Sequence, residues 1–401
     1  MLQRYDNDDE DGVSRPEPDL RGFVHLNAST VRGALTGARC GQCPLARSGQ
    51  PNRPVLSEGP ASPAWIIVGE GPGSTETMLG RPFVGASGVM VNRALSILRR
   101  QRADIMLANA TSCQPFPGAN DAAKRKAREC CAPRLHAELA RFPGKPILAL
   151  GGIAAQAFLG EKFTIGELAG SYHEVDIDGT GLRAVIPTIH PAAILRGGAG
   201  VGGAHSPDLA FWNLVYDAGK IDSIARGVDI RFREHDISIE ILDPVLACGH
   251  IDRIVADARR LRFVAIDTET YVDDEKRHSA LQPLNAKIRA IGLATTEWSV
   301  SVMWNLLNAR AKRLIAAVLA DPLIRKVMHN GPLYDVPVLR RHGMPVRGRV
   351  EDTMLMHHSA FPGLAHKLQR VATQFFAISP WKAEFRAKDD TPEDLTKYCA
   401  L

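Results

Sequence analysis

Residues 64–73 read AWIIVGEGPG, a short apolar run that ends in a polar loop of glycine, glutamate and proline. A strand covered on both faces is apolar throughout, so this stretch predicts a buried strand running into a tight loop. The form recurs at Ile105–Ala108, Pro146–Leu150 and Ala184–Ile189. Helical stretches lie between: Ser87–Arg100, with Val91, Leu95 and Leu98 on one face, the long and polar Ala122–Arg141, and the small-residue Gly152–Leu159. Strand–helix alternation of this kind predicts an α/β fold with a doubly wound parallel sheet. RGGAGVGGAHSP at 196–207 reads as a loop.

A second α/β block follows. FVAIDTET (263–270) is a strand with acids at its end, KIRAIGLATT (287–296) and SVSVMWN (299–305) pair with it, and RKVMHN (325–330) is a further strand. Thr391-Pro392-Glu393-Asp394 is a capping box with proline at the first helical position, opening a helix to Leu401. The organisation predicted is an acidic disordered tail over 1–30, a first domain over 31–225, a linker over 226–255 and a second domain over 256–401. The tail rests on seven acids against two arginines in the first 20 residues.

The 401 residues suit two or three domains, and 45% hydrophobic with 23% charged residues is the profile of a soluble globular protein. No apolar run approaches the ~18 residues of a transmembrane helix. The start, MLQRYDNDDEDG, lacks the pattern of a secretory signal, so no membrane partner and a cytoplasmic location are expected. A net charge of +5 permits nucleic-acid binding without requiring it.

Seven cysteines make a disulfide scaffold an unsuitable explanation. Cys40-Gly-Gln-Cys43, Cys113 and the Cys130/Cys131 pair fall in one domain, and four thiolates suit either zinc or an iron–sulfur cluster. Three polar features end three strands: Gly69-Glu70-Gly71-Pro72-Gly73, Asn109, and His190-Pro191. Singly they could be a turn, a cap and a loop histidine. Ligands bind beyond the carboxyl ends of parallel strands, so together they predict one crevice. In the second block, Asp267 and Glu269 are spaced i, i+2 and share a strand face. Asp335 opens a helix, and Asp352 is a fourth acid in apolar surroundings. Buried acids need metals or partners, and carboxylates holding two Mg²⁺ ions about 3.5–4 Å apart are a device for phosphodiester cleavage.

Residues 38–222 resemble the family 4, iron–sulfur-containing uracil-DNA glycosylases. The matches are CGQCPLA (40–46), VGEGPGSTETMLGRPFVGASG (68–88), NATSCQPF (109–116), CAPRL (131–135) and HPAAILR (190–196), in the family's order. The resemblance implies a 4Fe–4S cluster on Cys40, Cys43, Cys113 and Cys131, with Cys130 spare because only Cys131 begins Cys-x-Pro-x-Leu. It implies Phe83 stacked on a flipped uracil, Asn109 on the uracil edge and His190 facing the departing base. Ile194 or Leu195 would wedge into the duplex, and Arg196 would hold a phosphate. Gly71 stands where related glycosylases carry an aspartate, leaving Glu70 and Glu76 to activate water; Thr77 replaces an acid common in the family. KRKARECC (124–131) lacks the histidine of a related covalent branch, so ordinary turnover is expected.

The second block resembles the 3′–5′ exonuclease domain of family A DNA polymerases, the DEDD type with tyrosine, which implies a ribonuclease H-like fold. FVAIDTET matches the first motif and HNGPLYD the second. Tyr398-Cys-Ala-Leu401 supplies the tyrosine and spacers of the third, whose aspartate would be the next residue. The resemblance implies Mg²⁺ or Mn²⁺ on Asp267, Glu269 and Asp335, with Tyr398 orienting water. It further implies a C-terminally incomplete, impaired exonuclease, with a polymerase domain following in the full-length gene. Pro380-Trp381-Lys382 and HNGPLYD occur in bacteriophage polymerases, which implies a phage or prophage origin and the host cytoplasm. The expected substrates are uracil-containing DNA and single-stranded 3′ ends. A non-catalytic sensor of uracil or a modified pyrimidine, attached to a replicative polymerase, is the competing function.

Overall fold

The computed structural model describes residues 30–32, 35–46, 53–162, 164–177, 179, 181–196, 207–231, 236–273, 282–380, 391–392, 395–396 and 399. Nearly all of the expected acidic tail, the loop at 197–206, Trp381, Lys382 and Tyr398 lie outside the described residues.

The first domain's strands are β1 (Thr30–Arg32), β2 (Glu58–Pro60), β3 (Ile66–Gly69), β4 (Met106–Asn109), β5 (Ile147–Leu150), β6 (His173–Asp176) and β7 (Leu182–Thr188). They form one sheet in the order β1-β2-β4-β3-β5-β7-β6. Its helices are α1 (Ser74–Leu79), α2 (Ala86–Ile97), α3 (Asp121–Leu139), α4 (Gly152–Leu159), α5 (Ile165–Leu168), α6 (Pro191–Leu195) and α7 (Pro207–Ala225). The central β4, β3, β5 and β7 run parallel, as expected. Side chains alternate across them. Ile67, Leu107, Leu148 and Ile186 pack on α2 and α7 through Val91, Leu95, Phe211 and Leu214. Ile66, Met106, Ala149 and Val185 pack on α3 and α4 through Leu135, Leu139 and Ala154. Both faces are covered, which is why these strands read as unbroken apolar runs.

The sheet is not parallel at its edges. β2 pairs antiparallel with β4, β1 with β2, and β6 with β7. β6 reads HEVD, alternating half-buried and exposed, so no apolar run announces it.

The second domain holds β8 (Asp236–Glu240), β9 (Phe263–Tyr271), β10 (Lys287–Ala294), β11 (Trp298–Met303), β12 (Arg325–Met328) and β13 (Val350–Asp352), in the order β13-β12-β9-β10-β11-β8. Its helices are α8 (Pro244–Leu261), α9 (Ala309–Ala320), α10 (Asp335–Arg341), α11 (Thr353–Ala360) and α12 (Leu368–Phe375). β9 is central; on one side β10 pairs antiparallel with it and β11 antiparallel with β10, and on the other β12 and β13 run parallel to it. This is the ribonuclease H-like arrangement expected. The linker expected over 226–255 is corrected: β8 joins the sheet beside β11, and α8 begins at Pro244. Asp243 caps α8 by accepting from the Val245 and Leu246 amides at 2.7 and 3.2 Å. Ala247, Ile251, Ile254 and Ala258 bury one helical face in the second core.

The domains touch through α12, which lies against α7. Buried Lys220 pairs with Asp217 at 3.0 Å and donates to the carbonyls of Gly170 and Thr373. The Tyr172 amide donates to Ile378 O at 2.8 Å. Leu364 completes a small core with Ala169, Ile189, Ile194 and Ala210. Among the described residues, no helix is long and apolar enough to cross a membrane.

Arg134, on α3, is 1% exposed. It donates to Glu138 at 3.0 Å and to the carbonyls of Asn109 and Ala110, at 2.5 and 3.4 Å, tying α3 to the end of β4. Arg134→Leu strands the Glu138 carboxylate in the interior, and breaking a buried pair costs about 3–5 kcal/mol. Urea denaturation should register that loss, and adding Glu138→Leu should recover most of it. A single variant as stable as the parent would show that the pair holds nothing.

Candidate active sites

The three strand ends named above meet. β3 runs out at Gly69 into the Glu70–Gly73 loop, β4 ends at Asn109, and β7 leads to His190 at the start of α6. A cavity of about 430 Å³ opens there, lined by Gly71, Glu76, Phe83, Asn109, His190, Leu195 and Arg196, with Ser74 and Ser87 at the starts of α1 and α2. Neither serine was expected at the site. Their only signal was position, each a small polar residue opening a helix inside the 68–88 stretch.

His190 caps α6: its Nδ1 accepts from the Ala192 amide at 3.1 Å. Burial pushes its pKa below the usual histidine value, with the nearby Glu70 charge opposing and Arg196 adding to the fall. A neutral ring whose Nδ1 is an acceptor carries its proton on Nε2, which makes Nε2 the donor. Asn109 is buried, with its carbonyl held by Arg134. Gly69 has no room for a side chain, since a Cβ there would come within 2.7 Å of the Phe83 ring. Strand end, amide and ring are therefore packed face to face.

The two carboxylates separate. Glu76 lines the cavity, and its Oε1 accepts from the Gly85 amide at 2.8 Å. Glu70 is not among the lining residues; its Oε1 accepts from the Ile153 amide at 3.2 Å, at the start of α4. The two wedge candidates separate as well. Leu195 is 48% exposed at the cavity, whereas Ile194 is 1% exposed in the core shared with Leu364, which corrects its assignment as a wedge.

A second cavity, of about 180 Å³, is lined by Cys40, Cys43, Cys113, Cys130 and Cys131. Burial pushes the Cys113 thiol up to about 11, helped by its neighbours Cys131, Cys43 and Cys40. Cys130 lines the same cavity and also packs with Cys43, Leu45 and Ala127. Pro133 explains how the two cysteine segments meet. Proline lacks the amide that would bond four residues back, which leaves the Glu129 carbonyl without a helical donor. Arg39 supplies it through its guanidinium at 2.8 Å, and the Arg39 amide donates to Cys130 O at 2.9 Å. The segment leading into Cys40 is thereby docked on α3. Among the described residues, no three His, Cys, Asp or Glu side chains are arranged to hold a single metal ion. Five thiols around one cavity are a donor set suited to zinc or to an iron–sulfur cluster.

In the second domain Asp267 and Glu269 share the face of β9 opposite buried Ile266 and Thr268. Asp335 is buried at the first position of α10 and accepts from Thr268 Oγ1 at 2.6 Å. Burial, then the Asp267 charge, pushes its carboxyl up to about 7. Asp352 stands apart. Its Oδ1 accepts from the amides of Asn330, Met354 and Leu355 at 2.9, 2.9 and 3.4 Å, so the fourth acid caps α11 through one oxygen, while its buried Oδ2 has no partner among the described residues. Cys399 reaches this site, its Sγ 3.7 Å from Asp267 O.

Residues 56–212 match the Uracil DNA glycosylase superfamily. The type-4 uracil-DNA glycosylase of Pyrobaculum aerophilum is 36% identical over 179 residues, covering 43% of this chain and 87% of that protein. That of Thermotoga maritima is 34% identical over 161 residues, covering 39% of this chain and 79% of that protein. Among solved structures, the catalytic core of RRP6 from Trypanosoma brucei aligns with a TM-score of 0.33 and 16% identity, over 43% of this chain and 45% of that one. This chain thus spans less than half the length of that structure.

The His190 environment has a direct readout. A base whose folded pKa lies below 6.5 is neutral above that pH and takes its proton only as pH falls further. Nitrogen NMR of the ring should therefore show the Nε2–H tautomer, unchanged from roughly pH 8 down to 6.5. A ring that titrates at or above 6.5 would overturn the assignment.

Proposed function

We propose that this chain, which belongs to the type-4 uracil-DNA glycosylases through its first domain, hydrolyses the N-glycosidic bond of uracil in DNA and carries a two-metal 3′–5′ exonuclease in its second domain. The observation that carries the glycosylase is the convergence of Phe83, Asn109 and neutral His190 on one cavity. An extruded base needs a stacking face and an edge reader. Phe83 supplies the face, and the Asn109 amide offers both donor and acceptor to the uracil edge. Bond cleavage leaves negative charge on the base, which His190 Nε2–H meets. Glu76, the carboxylate at the cavity, orients the attacking water through its second oxygen. Leu195 enters the gap left by the flipped nucleotide, and Arg196 holds a backbone phosphate.

Cys40, Cys43, Cys113 and Cys131 would hold a 4Fe–4S cluster, with Cys130 spare. Such a cluster supplies a rigid cross-link and a redox centre. In the second domain Asp267, Glu269 and Asp335 would hold Mg²⁺ or Mn²⁺, with Tyr398 orienting water. Metals so held activate water and neutralise charge on the scissile phosphate.

Uracil release from a labelled single strand should depend on His190. His190→Ala should slow it by about 10²–10³-fold, the usual effect of removing one such donor, with DNA binding retained. Binding without release in the parent protein would make the first domain a sensor instead. Iron analysis of the purified protein should find about four irons per chain. Cys131→Ala should abolish the iron and Cys130→Ala should keep it; stoichiometric zinc would sink the cluster.

For the second domain, Asp267→Ala should abolish Mg²⁺-dependent shortening of single-stranded 3′ ends and leave uracil release intact. Shortening that survives the substitution would remove these acids from the nuclease.

A further inference from the structure

Phe83 sits in a backbone conformation that its residue type rarely adopts, with φ at +52°. Side chains bearing a Cβ visit this left-handed region only when their surroundings hold them there. The surroundings here are a buried charge cluster. Arg102 donates through Nη1 to Phe83 O at 2.9 Å and through Nη2 to Pro82 O, the two carbonyls flanking the turn. The same guanidinium is fixed from behind by Glu58, through Nε at 3.1 Å and through Nη2. Glu58 is 4% exposed on β2, and Arg81 grips it bidentately with two bonds of 3.1 Å. Although burial opposes ionisation, Arg81 and Arg102 hold the Glu58 carboxyl below the usual range. Gly88 completes the seat, because any Cβ there would collide with the Phe83 carbonyl.

We propose that Arg102, fixed by Glu58 and Arg81, is a positioning residue that sets the Phe83 ring for stacking on the extruded uracil. None of the three charged residues lines the cavity, so their effect on the base is transmitted through Phe83. Replacing a largely buried ion cluster, here two half-buried arginines and a buried glutamate, with apolar residues is often neutral for stability. What the cluster secures is one conformation of the 80–85 loop. Lysine cannot replace Arg102, since a single ammonium lacks the planar fork that spans two carbonyls and a carboxylate. The inference rests on the proposed stacking of uracil on Phe83.

The test is a double-mutant cycle on the full chain. Inhibition by free uracil and kcat/KM on a uracil-containing single strand are measured for the parent, Arg102→Gln, Phe83→Ala and the double variant. Arg102→Gln should weaken uracil inhibition about tenfold and lower kcat/KM by a similar factor, since small misplacements at a reacting centre cost one to two orders of magnitude. In the Phe83→Ala background the same substitution should add almost nothing, because its effect runs through the ring. Iron content and circular dichroism report folding. If Arg102→Gln does not fold, Arg81→Gln, which loosens Glu58 alone, enters the same cycle with a smaller expected effect. Additive losses would overturn the clamp and leave the stacking role standing. If Phe83→Ala leaves uracil inhibition unchanged, the stacking role fails, and the clamp with it.

Discussion

The first domain depends on one buried guanidinium. Arg134 lies one turn beyond Cys131 on α3 and holds the Asn109 carbonyl at the end of β4. The thiol-lined cavity and Asn109 at the rim of the other cavity are therefore fixed to a common point. A charge at that depth is costly unless every part of the surroundings answers it, and Glu138 supplies the counter-charge one helical turn away. Pro133, beside it, frees the carbonyl onto which Arg39 docks the Cys40–Cys43 turn. Two adjacent residues thus join three segments that are far apart in the chain.

The cavity follows the general logic of open parallel sheets, in which strand ends deliver side chains to one rim. Its distinctive feature is how little freedom the rim has. Gly69 brings the Phe83 ring down onto β3, and Arg102 holds that residue's carbonyl from the other side. The His190 ring is held by the Ala192 amide of the helix it caps. The cavity-lining groups are thus placed before any ligand arrives, which lowers the entropic cost of binding.

The second domain is more than an appendage. Leu364 packs under Ile189 and Ile194, the neighbours of His190 and Leu195, and α12 is fastened to α7 through Lys220. The helix that His190 caps rests partly on residues from the other half of the chain. A change at this joint can reach the glycosylase cavity through packing alone.

Sequence by itself determined the central strands, most helices and the three strand ends that meet at the first cavity, because two-sided burial leaves an unbroken apolar signature and parallel strands deliver their ends to one rim. Gly152–Leu159 forms as read, and β9 places Asp267 and Glu269 on one face as period two requires. The edge strands and β8 were not legible, since half-exposed strands carry no apolar run; the Asp243-Pro244 cap was present in the sequence and marks where α8 begins. Only the tertiary structure decided which of two neighbouring residues does the work. Leu195 rather than Ile194 meets the cavity because Leu364 covers the latter, and Glu76 rather than Glu70 lines it because α4 takes the Glu70 carboxylate. Asp352 caps a helix because three amides converge on it. The Glu58–Arg81–Arg102 cluster joins residues from three separate segments, and its role depends on partners brought together only by folding.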